Sequence, residues 1–300
     1  MNKLIAQFQR LYFLHGQQWH SPKGDSGSSD FSPEGVLTPE IITQSLAGEV
    51  TVALNLVSQD GMARTMAVEF EKSTDWDLVA KLYQGVQEDL DLPAPAVSVS
   101  GKGGYRVWFS LVEPVPVSHA QAFLKALRLK YLADIPPARL NFRPDIGEPA
   151  SPEQSLIPLA PALHMATGKW SAFIDPSMGS MFVDEPWLEM APNLDKQADL
   201  LAGFESIKAG DFQRVLNLAL AHTEPAGGPS DRHAGLQSEV AHHHGPHTSR
   251  AQSRLDVGSN FSDPKSFLLA VMNDPSASAG QRIKAAKALL PYFHSIAPNR

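Results

Sequence analysis

Residues 97–109 read VSVSGKGGYRVWF. Small and apolar residues alternate into a glycine turn that carries one lysine. The chain leaves through a second alternating run that holds aromatics and Arg106. Period-two alternation on both sides of a short Gly-rich turn predicts a β-hairpin. Ser98 and Ser100 then share one face of the incoming strand, and Arg106 and Trp108 share one face of the outgoing strand. Glycines let backbone approach an anion closely, and Lys102 adds positive charge at the tip. Two readings follow, a plain hairpin closure and a phosphate cradle. The turn is not a P-loop, because the GxxxxGK[ST] spacing is missing and Gly103 follows the lysine.

Working outward, VTVALNLV (50–57), the turn SQDG and TMAVEFE (65–71) read as a second hairpin. On its outgoing strand Glu69 and Glu71 share a face while Val68 and Phe70 turn to the core. Two carboxylates on one strand face suit divalent cations that clamp the oxygens of a phosphoryl transfer. They equally suit a solvated sheet face. Helical spacing marks 74–90 through Trp76, Val79, Leu82 and Val86. It also marks 119–133 behind a Ser118 cap, through Phe123, Leu124, Leu127 and Tyr131. ARLNF and SLIPLAPAL read as later strands. Near the N-terminus Asn2–Leu14 is an amphipathic helix and HSPKGDSGSSDFSPEG (20–35) a loop. Thr38 and Pro39 cap a helix that Gly48 stops. Paired strands with intervening helices give an α+β fold, an antiparallel-rich sheet covered by helices.

Charge is distributed unevenly. Asp60–Asp91 holds eight acidic and three basic residues, a balance of −5, whereas Val97–Arg143 holds seven basic and two acidic, a balance of +5. A metal-plus-triphosphate site needs such neighbours, and an internal salt-bridge arrangement produces the same pattern. The net charge of −7 over 300 residues is no sign of a nucleic-acid partner, although a local groove can differ. No cysteine is present, which excludes disulfides and thiolate metal sites. The N-terminus lacks the unbroken apolar run of a signal peptide, and no stretch approaches the roughly 20 apolar residues of a membrane span. A cytoplasmic protein with no membrane partner is the expectation.

The order of these segments resembles the archaeo-eukaryotic primase superfamily over about residues 40–180, nearest the primase–polymerase domains of phages, plasmids and mobile elements. VEFEKSTDWD, then a helix, SVSGKGGYRVWFSLVEPVP, a helix, and SLIPLAPALHMATGKWSAFID carry the resemblance. It implies a primase- and RRM-like core, and catalysis at Glu69, Glu71 and Asp145 with Mg²⁺ or Mn²⁺ on Glu69 and Glu71. It also implies nucleotide binding at Ser100, Lys102, Gly103, Arg106 and His164. Four residues depart from the family pattern. Glutamates replace the first aspartate pair, Arg106 stands at a histidine, and Asn141 stands where a third carboxylate belongs.

The implied function is template-dependent nucleotidyl transfer in DNA replication, with nucleoside triphosphates and single-stranded DNA as partners. A helicase or a replication or packaging protein would assist. The alternative is a catalytically inactive relative that binds DNA or protein as an adaptor of a phage or mobile element. A third reading is a packaging or assembly adaptor defined by its tail. The expected organisation is a primase–polymerase-like domain over 1–200, a helical extension over 201–222, a disordered linker over 223–258 and a helical tail over 259–300. The His242, His243, His244 and His247 cluster lies in that linker without acidic partners and reads as composition, not as a metal site.

Overall fold

The computed structural model describes residues 2–22, 31–147, 156–221 and 264–273. Helix α1 (Asn2–Leu11) buries Leu4, Ile5, Phe8 and Leu11, the stripe that a 3.6-residue period places on one face. Strands β1 (Gln18–Pro22) and β2 (Phe31–Val36) then pair antiparallel. Both ends of the stretch expected to be loop are therefore strand. Ladder pairing uses backbone N–H and C=O groups and needs no apolar side chain, and β2 is an edge strand, where Pro33 is tolerated. Helix α2 (Pro39–Leu46) starts as the sequence predicts. The Thr38 hydroxyl accepts the Ile41 N–H, and Gly48 follows the helix at φ +79°.

Strand β3 (Ala53–Asn55) and β4 (Met62–Phe70) correct a second expectation. The turn between them exists, with Ser58 N–H donating to Met62 O at 2.8 Å and a lone bridge between Val57 and Ala63. The strands then part into different sheets: β3 pairs with β1 and with β8 (Leu156–Pro158), giving the order β2-β1-β3-β8. Alternation records which side chains share a face of a strand. It does not record the neighbour.

After β4 come α3 (Trp76–Glu88), β5 (Ala96–Val99), β6 (Tyr105–Pro116), α4 (Val117–Tyr131) and β7 (Leu140–Arg143). Ser118 lies inside the first turn of α4 and does not cap it. The short ribbon β9 (Leu163–His164) and β10 (Lys169–Trp170) precedes β11 (Ala172–Ile174). The central sheet has the order β11-β5-β6-β4-β7, with every neighbouring pair antiparallel. The 97–109 stretch is its β5–β6 hairpin, closed by Ser100 N–H onto Gly104 O at 2.8 Å.

Two cores flank this sheet. Ala67, Ala96, Trp108 and Phe173 pack on one face against α1, α2, the second sheet and α5 (Leu194–Ala202). Val68, Phe70, Val97, Val99, Tyr105, Val107 and Phe142 pack on the opposite face beneath α3, α4 and a C-terminal helix, α6 (Ala209–Ala221). The fold is α+β, as expected. Residues 209–216 belong to the core beneath α3 and α4: Phe212 packs on Phe123 with ring centroids 5.3 Å apart, and Ile207 bridges Leu111 in parallel. The described residues up to Ala221 form one compact unit. In the second unit α7 (Pro264–Asn273) is helical, and the expected break at Asp274–Pro275 lies outside the described residues. The linker, the histidine cluster and the rest of the tail lie outside the described residues. Among the described residues no helix is long and apolar enough to cross a membrane.

One side chain fastens α1 to the sheet. The Arg64 guanidinium donates to the carbonyls of Gln9, Phe13 and Arg10, and its Nε to Leu111 O at 3.1 Å. Carbonyls at a helix C-terminus have no intrahelical donor, so the cation satisfies several at once. Arg64→Met keeps the aliphatic stem and removes these donors. It is expected to lower unfolding free energy by about 1.5–3 kcal/mol, the usual worth of bonds to a charged group. Urea denaturation checks this, and an unchanged midpoint would reject the fastening role.

Candidate functional site

Antiparallel pairing sets one residue from each strand of the central sheet into a row. Phe173, Ser98, Arg106, Glu69 and Asn141 stand directly opposite one another in sequence across β11, β5, β6, β4 and β7. Residues opposite in a ladder share a face, so all five project from the same side. Two residues along each strand, the row Ala96, Trp108, Ala67 and Arg143 lies on that same face, and its first three members are buried. The polar row thus borders a buried layer. Ser98 is wholly buried and accepts the Trp108 indole N–H at 2.9 Å. The strands carrying Glu69 and Ser98 lie in one sheet with β6 between them.

Glu69 is engaged on both oxygens. Arg106 Nε donates to Oε2 at 2.9 Å, and Arg143 Nε lies 3.3 Å from Oε1 as an ion pair while its N–H donates to Leu156 O at 3.2 Å. The Arg106 and Glu69 side chains are 9% and 14% exposed, so this pair is largely withdrawn from water. Arg106 Nη1 is buried with no hydrogen-bond partner among the described residues. Glu71, one step nearer the rim, is exposed and accepts the side-chain amide of Asn141. Arg143 is a functional neighbour the sequence reading missed. The available signal was its place two residues after Asn141 on an alternating strand, hence on the same face.

The glycine turn is built around one hydroxyl. Ser100 Oγ accepts the N–H groups of Lys102, Gly103 and Gly104 at 3.2, 3.0 and 3.0 Å. Three amides converging on one oxygen form the kind of concavity that takes an anion, and here a neutral hydroxyl fills it. Gly103 therefore spends its amide inside the turn. Gly104 must be glycine, since a Cβ there would come within 1.8 Å of Phe70 O. Lys102 is exposed at the tip and makes no ion pair with a described residue. From the β9–β10 turn the Thr167 hydroxyl donates to Gly101 O at 3.1 Å and lies 2.9 Å from His164 Nδ1. Two motifs some sixty residues apart thus meet. Burial, then the charges of Lys102 and Arg106, hold the His164 pKa below its usual value.

The resemblance implies a divalent cation here, and the residues do not fit one. A hard cation needs converging oxygen ligands. Both Glu69 oxygens face guanidinium groups, and the position opposite it on β7 is an amide. Asp145 lies two residues past β7, beyond its end remote from Glu71. Its carboxylate accepts the Gly147 N–H, and its carbonyl accepts the Gln121 side chain. Among the described residues no three His, Asp or Glu side chains come together as a metal-binding group.

The contrast between acidic and basic segments resolves into ion pairs. Glu69 meets Arg106 and Arg143, Asp75 meets Arg139, and Asp89 meets Lys130. Each pair joins the −5 segment to the +5 segment, so much of the basic surplus is committed internally.

A family model described as the archaeo-eukaryotic primase domain of TOTE conflict systems matches residues 22–191, more than half of the chain. Among solved structures, the chain is similar to the archaeo-eukaryotic primase domain of the cyanophage S-2L primase–polymerase. They share 11% identity and a TM-score of 0.39, over 67% of this chain and 97% of that one. It is also similar to the polymerase domain of Mycobacterium tuberculosis ligase D, solved in complex with DNA. Identity is 11% and TM-score 0.39, over 66% of this chain and 86% of that one. No curated protein sequence matches it.

Two outcomes follow from this geometry. Glu69→Gln leaves Arg106 and Arg143 without their shared anion, and removing one partner of a buried pair costs about 3–5 kcal/mol. Partial exposure of Glu69 puts the expected loss near the lower bound, about 3 kcal/mol, in metal-free buffer. A carboxylate kept for a metal would instead relieve repulsion when removed, so a rise in melting temperature would reject this arrangement. For His164, a folded-state pKa below the unfolded value near 6.5 means the unfolded chain binds its proton more tightly. Its contribution to stability is full above about pH 6.5 and is lost as pH falls from there toward the folded pKa. Imidazole NMR titration should give a midpoint below the usual value, returning toward it in Lys102→Ala.

Proposed function

This chain belongs to the archaeo-eukaryotic primase domain family of TOTE conflict systems, and on that premise we propose that it binds a nucleoside triphosphate at the GKGG turn. The observation that carries this reading is the junction of the two motifs. Thr167 ties its segment to Gly101, which sets His164 beside the turn whose tip presents Lys102. The exposed ammonium of Lys102 and the buried guanidinium of Arg106, both on the β5–β6 hairpin, concentrate positive potential at one end of the sheet, with His164 of β9 beside them. Polyphosphate is the ligand that such a field favours.

In this reading Lys102 contacts phosphate directly, as a mobile point charge on an exposed stem. Ser100 and the three amides it gathers hold the turn open and shape the approach. Arg106 acts from beneath as fixed charge. Glu69, Glu71 and Asp145 were the candidates for nucleotidyl transfer. Their separate engagement favours the catalytically inactive relative over the active enzyme, and no transfer step is derived through them. Single-stranded DNA ranks second to the nucleotide among the ligands, because the ion pairs leave few cations to track a backbone. Service to a phage or mobile element, and partnership with a helicase or packaging protein, belong to the same reading.

The test is calorimetric titration of a nucleoside triphosphate into the full chain and into Lys102→Ala. One hydrogen bond to a charged group is worth about 1.5–3 kcal/mol, so the dissociation constant should rise roughly tenfold to a hundredfold. Equal affinity in the two proteins would move the phosphates away from the turn.

A further inference from the structure

We propose that this site takes nucleotide phosphates without a divalent cation, with the Arg106–Glu69–Arg143 cluster standing where the ion would be held. The inference rests on the nucleotide reading above and goes beyond it, since that reading says nothing about what neutralises the phosphates.

Three observations carry it. First, the sheet register is occupied in a self-satisfying way. Glu69, the carboxylate central to the row, has Arg106 across one strand boundary and Asn141 across the other. A metal site needs carboxylates converging with oxygens free. Here one glutamate is held between two guanidiniums and the next accepts an amide.

Second, the formal charge has the wrong sign for metal capture. Arg106, Arg143 and Lys102 set three positive charges against two negative ones on Glu69 and Glu71. A site that recruits divalent ions carries an acidic surplus, and this one carries a basic surplus before any ligand arrives. The lowered pKa of His164, caused in part by Lys102 and Arg106, agrees with a positive local potential.

Third, Arg106 keeps unspent capacity. Its Nε is committed to Glu69, while Nη1 is buried without a partner among the described residues. An unsatisfied buried donor is costly, and an anion brought close to it offsets that cost. Arginine holds phosphate through planar, charge-assisted hydrogen bonds and needs no bridging ion to do so. Glu69 then acts structurally, keeping two like charges together until an anion joins them. The residues substituted at this level, Arg106, Glu69 and Asn141, make sense as one set. Arg106 supplies a donor an anion needs, Asn141 lacks a carboxylate a cation needs, and Glu69 keeps its carboxylate but has it paired with arginine.

The experiment uses the full chain and ATP as probe, by calorimetry, in excess EDTA, in Mg²⁺ and in Mn²⁺. The expected result is a dissociation constant in EDTA equal to that in Mg²⁺ within about threefold, or tighter, because magnesium masks phosphate charge that the arginines would meet. Tightening of roughly tenfold or more on adding either ion would overturn this inference while leaving nucleotide binding intact. Absence of binding in all three arms would remove the nucleotide reading itself, and this inference with it. A second readout does not depend on nucleotide. Mn²⁺ titrated into the apo chain and followed by electron paramagnetic resonance should show no saturable site that Glu69→Gln abolishes. A site that disappears in Glu69→Gln, with the variant still folded by circular dichroism, would overturn the proposal.

Discussion

The antiparallel register of β4 between β6 and β7 governs this molecule's chemistry. It places Glu69 opposite Arg106 on one side and Asn141 on the other. A slip of one residue would send Glu69 into the core that Val68 and Phe70 occupy and bring those side chains out. Burial of Val68 and Phe70 under α3 and α4 prevents that slip, so the apolar face fixes the polar one. The ion pair of Glu69 with Arg106 and Arg143 then follows from geometry, because charged groups this far from water must find partners. The polar row is in this sense a product of the hydrophobic core behind it.

The rim of the site depends on tight approach. Gly104 lies against Phe70 O where no side chain fits, and Gly101 at φ +74° backs onto Ser171 N. These contacts press the hairpin tip against β4 on one side and against the β10–β11 segment on the other. Ser100 consumes the turn's amides, which gives the loop a fixed shape and leaves Lys102 as its outward charge. The Trp76 ring lies against Gly179, and Tyr105 donates to Gly179 O at 3.1 Å. The segment after β11 is thereby pinned beneath the same tip. Polar function at the surface and close packing below are one arrangement seen from two sides.

Particular residues show how far the sequence could be read. The VSVSGKGGYRVWF hairpin, the Thr38–Pro39 cap and the apolar stripes of α3 and α4 were legible, because each depends on local period or local backbone chemistry. The pairing of Glu69 and Glu71 on one face was legible for the same reason. The partners of β3 were not, and neither was the hairpin of β1 and β2. Neighbour choice in a sheet is decided by long-range packing, and a Gly-, Ser- and Pro-rich stretch can still spend its backbone bonds on a ladder. The two charged segments carried both readings equally in one dimension. Only the register turned them into specific pairs.

By itself, then, the sequence determined the α+β class, the two-faced strands, the glycine turn and the family likeness, all of which rest on spacing along the chain. Tertiary structure decided what the charged side chains are for. Whether Glu69 waits for a cation or is already answered by arginine depends on groups about forty and seventy residues away. Electrostatic energy falls with distance in space and is blind to distance in sequence. Asp145, close to Asn141 along the chain, ends up beyond the far end of β7, whereas Arg106 on another strand comes to 2.9 Å from Glu69. That inversion of near and far is what joins Glu69 to Arg106.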